Sequence, residues 1–111
     1  MDDSSQIIIP PSFTALYVPP GKTRPTETHA HIAQRYELCE DMAQMLCESA
    51  AEQQFKTGAA PPALLAWMER SLLGEGAVLE AAEARWVVLR IAELLHWDAT
   101  ELGATDAAPG N

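Results

Sequence analysis

Residues 77–97 read AVLEAAEARWVVLRIAELLHW, and this stretch decides how the chain is folded. Its apolar residues recur at the three- and four-residue intervals that are typical of an α-helix. Around a helix axis they form two separate arcs, with Glu80, Glu83, Arg90 and Glu93 between them. One arc contains Val87, Val88, Ile91, Leu94 and Leu95, and the other contains Leu79, Ala82, Trp86 and Leu89. Because a helix that is apolar on two sides is covered on both, we expect a medium-length helix from about Ala77 to His96 or Trp97, lying between two other elements.

Two further helices are predicted before this stretch. Thr26 or Thr28 can cap a long helix that continues to about Lys56, and Gly58 is placed to end it. The apolar seam of the long helix advances by alternating steps of four and three residues through Ile32, Tyr36, Cys39, Ala43, Leu46 and Ala50. A short helix follows the hinge at residues 59–62. Its apolar face contains Leu64, Leu65, Met68 and Leu72.

The first quarter of the chain has a different composition. Five prolines fall within residues 7–25 and disfavour both helix and central strand, so an extended backbone is expected there. Apolar residues such as Ile8, Phe13 and Tyr17 indicate that this arm lies against its own helices or against another chain. The predicted fold is all-α: an extended proline-rich arm over residues 1–25, an antiparallel three-helix bundle (long, short, medium) over 26–103, and a flexible tail over 104–111.

The charge balance excludes several kinds of partner. The 111 residues include 16 Asp+Glu and 7 Lys+Arg, which gives a formal net charge of −9. Nucleic-acid backbones and anionic membranes are bound by clustered Lys and Arg, so neither is expected as a direct partner. No apolar run approaches the roughly 20 residues of a membrane span, and residues 1–6 lack the positive segment of a signal peptide. We therefore expect a cytoplasmic protein.

Two short motifs are the candidates for ligand chemistry. Gly21-Lys22-Thr23 matches the end of a phosphate-binding loop, but Leu16 stands where that loop needs another glycine, and Pro19 and Pro20 precede the triplet. An exposed basic turn is the alternative interpretation. Glu27 and His31 are four residues apart and can offer two ligands to one metal ion, although a closed zinc site needs four; the alternative is a solvated first helical turn.

No residue pattern indicates a catalytic centre, so no catalytic residue and no cofactor are predicted, and an enzyme is the less favoured reading. The serines at positions 49 and 71 lie within predicted helices, without the glycine-flanked turn of a nucleophilic serine. Trp67, Trp86 and Trp97 are either anchors of the core or the walls of an aromatic pocket. Cys39 and Cys47 lie eight residues apart on one helix, about 12 Å along its axis, so they cannot form a disulfide there and are expected to be reduced.

Two segments carry a resemblance to a known family. The first is Ile9-Pro10-Pro11-Ser12-Phe13 through Val18-Pro19-Pro20-Gly21, and the second is Arg35-Tyr36-Glu37-Leu38-Cys39-Glu40-Asp41-Met42-Ala43. Over roughly the first half, the chain resembles a family of small proteobacterial proteins, some of which are labelled "ATPase with chaperone activity". The resemblance implies a bacterial source and an ATP-linked or chaperone-like role, and it supplies no catalytic residues.

The sequence favours a non-enzymatic protein–protein interaction module, such as an adaptor, a regulator or a chaperone-like protein, which forms a homodimer. The apolar arm and the two-sided medium helix motivate this hypothesis, with Ile8, Phe13, Leu16, Tyr17 and Trp86 as the expected partner-binding residues. A monomer whose arm covers the medium helix is the competing interpretation. The alternative function is an acidic-surface regulator or nucleic-acid mimic that binds a basic target.

Overall fold

The computed structural model describes residues 8–99, and within that range all regular secondary structure is helical. The elements are α1 (Pro11–Thr14), a 3-10 segment (Ala15–Tyr17), α2 (His29–Thr57), α3 (Pro61–Leu72) and α4 (Ala81–Leu95). The all-α prediction is thus confirmed for the described residues. The tail predicted over 104–111 lies outside them.

The bounds of α2 follow from its two end residues. The Thr28 hydroxyl accepts a hydrogen bond from the His31 backbone N–H at 3.1 Å and so caps the start of the helix. Gly58 ends it with a φ of 70°, a left-handed conformation that glycine adopts without steric cost. Both caps stand where the sequence predicts them.

Helix α3 begins with Pro61 and buries Leu64, Leu65 and Met68, as its apolar spacing predicts. Helix α4 starts at Ala81, four residues after the predicted start, because Glu80 and Glu83 form a capping box. The Glu83 carboxylate accepts from the Glu80 backbone N–H at 2.9 Å, and Glu80 in return accepts from the N–H of the third helical residue.

Helix α4 packs against both α2 and α3. The second apolar arc is covered only in part: Leu79 and Trp86 are buried, whereas Ala82 and Leu89 are exposed. Two ion pairs join it to α2, Arg35 with Glu83 and Glu40 with Arg90. Because the two pairs follow the same order along both helices, α2 and α4 run in the same direction, as the first and third helices of an up-down-up three-helix bundle do. The largest fully buried side chains are Phe13, Leu65, Ile91, Glu83, Val87, Val88 and Cys39.

The arm is not extended over its whole length. Residues 11–17 are helical, and the prediction of extended backbone is wrong for them. Pro11 occupies a first helical turn, where its missing N–H costs nothing. Phe13 is completely buried in the core, so the arm lies against its own chain.

None of the helices within residues 8–99 combines the length and the apolarity that a membrane span requires.

Candidate functional site

The arm is attached to the helices through a cluster of aromatic rings. The ring centroid of Phe13 lies 5.1 Å from Trp86, 5.5 Å from Tyr17 and 5.6 Å from Tyr36. The Trp86 indole N–H donates to the Ser12 hydroxyl at 3.1 Å, which gives the buried indole a polar partner. These contacts tie α1 to α2 and α4.

A buried carboxylate lies beside this cluster. The Glu83 side chain is 2% exposed, and Arg35 donates to it twice, from Nε to Oε2 at 2.9 Å and from Nη2 to Oε1 at 2.6 Å. The Tyr17 hydroxyl also donates to Glu83 Oε2. Arg35 makes a further bond to the Val78 carbonyl at 2.8 Å. One carboxylate therefore joins the arm, α2 and the start of α4.

The electrostatics of this cluster hold it in one charge state. Burial by itself raises the pKa of Glu83, but the hydrogen bonds from Arg35 and Tyr17 outweigh it and lower the pKa to about 2. Burial and the Glu83 carboxylate together raise the pKa of Tyr17 above its ordinary value. Glu83 is thus ionised and Tyr17 neutral at any physiological pH.

Two clefts border the arm. One, of about 520 Å³, lies among Leu16, Tyr17, His31 and Val78. The other, of about 380 Å³, has Trp86 and Leu89 among its lining residues. In the part of the chain that the structure describes, no buried side-chain nitrogen or oxygen lacks a hydrogen-bond partner. The polar groups of the Glu83 cluster are therefore already satisfied, and the cluster serves to anchor the arm.

The predicted partner-binding residues do not share one accessible surface. Phe13 is fully buried and Trp86 is 9% exposed, while Leu16 and Tyr17 are partly buried against the core. Ile8, at 86% exposure, is the one member of the set whose side chain is largely exposed to solvent. Of the other tryptophans, Trp97 packs partly buried against the core and Trp67 is 53% exposed on α3. Trp86 is thus an anchor of the core, as one of the two interpretations has it.

Gly21, Lys22 and Thr23 lie in an exposed tight turn. The Lys22 backbone N–H donates to the Pro19 carbonyl at 3.0 Å, and Gly21 has a φ of 79°. Proline followed by a glycine of positive φ is the pattern of a type II turn. The Lys22 N–H that would face a phosphate is therefore occupied within the chain.

Glu27 and His31 do come together, with 4.0 Å between Glu27 Oε1 and His31 Nε2. Both side chains are about half exposed. Within residues 8–99, no group of three or more His, Cys, Asp or Glu side chains is arranged to hold a metal ion. Glu27 and His31 therefore offer the two ligands that the sequence predicts, without a third ligand among the described residues.

The sequence offers an acidic surface as the alternative for partner binding, and on α2 this surface is an outward face that also carries two apolar residues. At helical spacing, and opposite the buried seam, it presents seven side chains, all exposed, and we call it the acidic face. It consists of Gln34, Glu37, Asp41, Met45, Glu48, Glu52 and Phe55. The signal for it is present in the sequence, as two apolar residues on the side of the helix that faces away from the seam.

The carboxylates of the acidic face lack the arginine partners that several carboxylates between the helices have. Glu83 pairs with Arg35, Glu69 with Arg85, and Glu40 with Arg90. Among the described residues, the four carboxylates of the acidic face have no hydrogen bond or ion pair. Met45 lies between Asp41 and Glu48 and is 72% exposed. Phe55 follows Glu52 and is 88% exposed. The face thus combines unpaired negative charge with uncovered apolar surface.

No protein-family model matches the chain, and neither a curated protein nor a solved structure shows significant similarity to it.

Proposed function

We propose that the chain is a non-enzymatic protein–protein interaction module that binds its partner through the acidic face of α2. The observation that carries the proposal is the exposure of Met45 and Phe55 on a helix whose opposite side packs against the core. The free energy falls when large apolar side chains are removed from water. A partner that covers Met45 and Phe55 is stabilised in this way, at a surface that no described element of the chain covers.

The proposal moves the binding surface away from the arm. Phe13 and Trp86 contact each other inside one chain, with their rings 5.1 Å apart. A partner that used these rings would first have to detach the arm from the Glu83 cluster. The acidic face requires no such rearrangement.

Affinity capture from the lysate of the source cells, followed by mass spectrometry, tests the proposed function. The test variant is Met45→Gln with Phe55→Gln, and the matched control is Leu73→Gln with Val78→Gln, since all four are exposed apolar side chains. We expect the wild type and the control to retain a set of proteins that the test variant loses. An identical set with all three proteins contradicts the proposal.

A homodimer formed by the arm is the second proposal from the sequence, and the exposed Ile8 supports it. Sedimentation at micromolar concentration tests it directly. A species of twice 12.1 kDa that Ile8→Asp dissociates supports the dimer. A single species of 12.1 kDa contradicts it.

An acidic-surface regulator is the more specific form of the proposed function, and the unpaired carboxylates of α2 favour it. Like charges at Glu37 and Asp41, and again at Glu48 and Glu52, stand four residues apart and weaken an isolated helix. A basic target relieves this repulsion when it binds. Complex formation through such charges weakens as salt is added.

A further inference from the structure

We propose that the acidic face binds a positively charged amphipathic helix of a protein partner. The Lys and Arg side chains of that helix pair with the four carboxylates, and its apolar residues cover Met45 and Phe55. This inference rests on the proposed function and adds the chemistry and the secondary structure of the partner.

The sign of the partner's charge follows from the charges on the face. Glu37, Asp41, Glu48 and Glu52 give it a formal charge of −4, and none of its seven residues is a cation. Of the two Lys and Arg residues of α2, Arg35 is bound to Glu83 and Lys56 lies in the last turn, directly after Phe55. A second copy of the chain would bring eight carboxylates together, and nucleic acid would bring phosphates. A cationic protein segment complements the face instead.

The helical form of the partner follows from the shape of the surface. From Gln34 to Phe55 the face runs about 32 Å along a helix, with side chains three and four residues apart. Such a ridge offers no free backbone N–H or C=O for an extended peptide to pair with, because those groups are used within α2. The ridges of a second helix, with side chains at the same intervals, interdigitate with it.

The two apolar residues fix the pattern that the partner must carry. Met45 and Phe55 are ten residues apart, about 15 Å along the helix, and Glu48 and Glu52 lie between them. The complementary helix therefore has two apolar positions at a similar separation with Lys or Arg between them. Charge alone attracts many basic segments, and this spacing selects among them.

The experiment uses the full chain, labelled with ¹⁵N, and a synthetic helical peptide as the probe. The probe contains Lys, Leu and Ala, with two Leu ten residues apart and Lys between them on one face. A second peptide has the same composition in an order that scatters Lys and Leu around the helix. We expect the probe to shift the amide resonances of residues 41–55 in a saturable way, and to bind about tenfold more tightly than the scattered peptide, as lost apolar contacts and displaced charges imply.

Two pairs of variants locate the binding. Glu48→Gln with Glu52→Gln removes two charges from the face, and Glu27→Gln with Glu75→Gln removes two exposed charges elsewhere. Met45→Gln with Phe55→Gln is compared with Leu73→Gln with Val78→Gln, two exposed apolar residues away from the face. Each variant on the face is expected to lower the affinity for the probe peptide about tenfold, and each control variant less than about twofold.

Three outcomes overturn the inference. They are no saturable binding, equal affinity for the two peptides, and equal loss of affinity in face and control variants. The lysate capture separates these failures from failure of the proposed function. If Met45 and Phe55 are needed for capture but the probe does not bind to α2, the interaction module stands and the basic helical partner is wrong.

Discussion

Arg35 of α2 and Glu83 of α4 form a two-bonded ion pair across 48 positions of sequence, with N–O distances of 2.9 and 2.6 Å. The Arg35 side chain is 25% exposed, whereas the Glu83 side chain is 2% exposed. The Tyr17 hydroxyl donates a further hydrogen bond to Glu83. This pair fixes the distance between the two helices and the position of the arm at once.

Replacing Glu83 with glutamine is expected to destabilise the fold by about 2–4 kcal/mol. The amide keeps the volume of the side chain but leaves the Arg35 guanidinium without its counter-charge. Breaking one side of a buried ion pair costs about 3–5 kcal/mol, and the 25% exposure of Arg35 lowers the expected cost. The capping box of α4 is weakened as well. Urea unfolding followed by circular dichroism measures the change.

The control for this prediction is Glu93→Gln. Glu93 pairs with Arg90 at 3.0 Å, but its side chain is 71% exposed, and pairs of this kind contribute about 0–1 kcal/mol. Equal losses in the two variants would show that the Glu83 pair has no special structural role.

Acid is expected to destabilise the protein through the same carboxylate. The pKa of Glu83 is lowered from 4.5 to about 2 in the folded state, so the stability it contributes is fully present above pH 4.5. That stability is lost as the pH falls from 4.5 towards 2, because protonation then favours the unfolded chain. The loss from this group is on the order of 3 kcal/mol.

Unfolding free energies measured between pH 7 and pH 2 check this prediction. In Glu83→Gln the unfolding free energy should depend less on pH below pH 4.5. In Glu93→Gln most of this pH dependence should remain. The hydrogen bonds from Arg90 also lower the pKa of Glu40, which accounts for part of the slope that remains. A profile unchanged by Glu83→Gln contradicts the assignment.

Shortening Phe13 to alanine is expected to cost about 3–5 kcal/mol, the usual range for a large aromatic ring lost from a core. Phe13 has no exposed surface and contacts three other rings. Tryptophan fluorescence in a urea titration measures the loss, since Trp86 is one of three tryptophans and contacts Phe13. Ile8→Ala, at an 86% exposed position of the same arm, should stay within about 0.5 kcal/mol of the wild type.

The two cysteines are expected to react at very different rates with a thiol reagent. Burial raises the pKa of Cys39 to about 12 and removes its side chain from solvent, so its thiol stays protonated and protected. Cys47 is only partly buried. Alkylation with mass-spectrometric readout should label Cys47 in the native protein and Cys39 only after unfolding. Early labelling of Cys39 would mean that this part of the core opens readily.

Both ends of α2 were predictable because a local residue determines each of them. Thr28 and Gly58 set the ends of α2 through their own side chain and backbone, without help from distant parts of the chain. The start of α4 was predicted four residues early, although Glu80 and Glu83 have the spacing of a capping box. The apolar Val78 and Leu79 before them extended the helical pattern beyond its true start.

The core of the candidate site was not predictable from local pattern. Glu83 lies between the two apolar arcs of its helix, a position usual for solvent-facing charge, yet it is buried. Its partners Tyr17 and Arg35 are 66 and 48 positions away, and no spacing rule connects them. In the arm, the prolines concealed the short helical segment that buries Phe13, because Pro11 is compatible with a first turn.

The contacts of the arm also bear on the order of folding. Ser12 meets Trp86 across 74 positions, and Tyr17 meets Glu83 across 66. Contacts this distant close large loops and form slowly compared with the turns inside a helix. During synthesis the arm leaves the ribosome before α4, the helix that holds it. The segment around Phe13 therefore waits, with its apolar ring unprotected, until α4 has been translated.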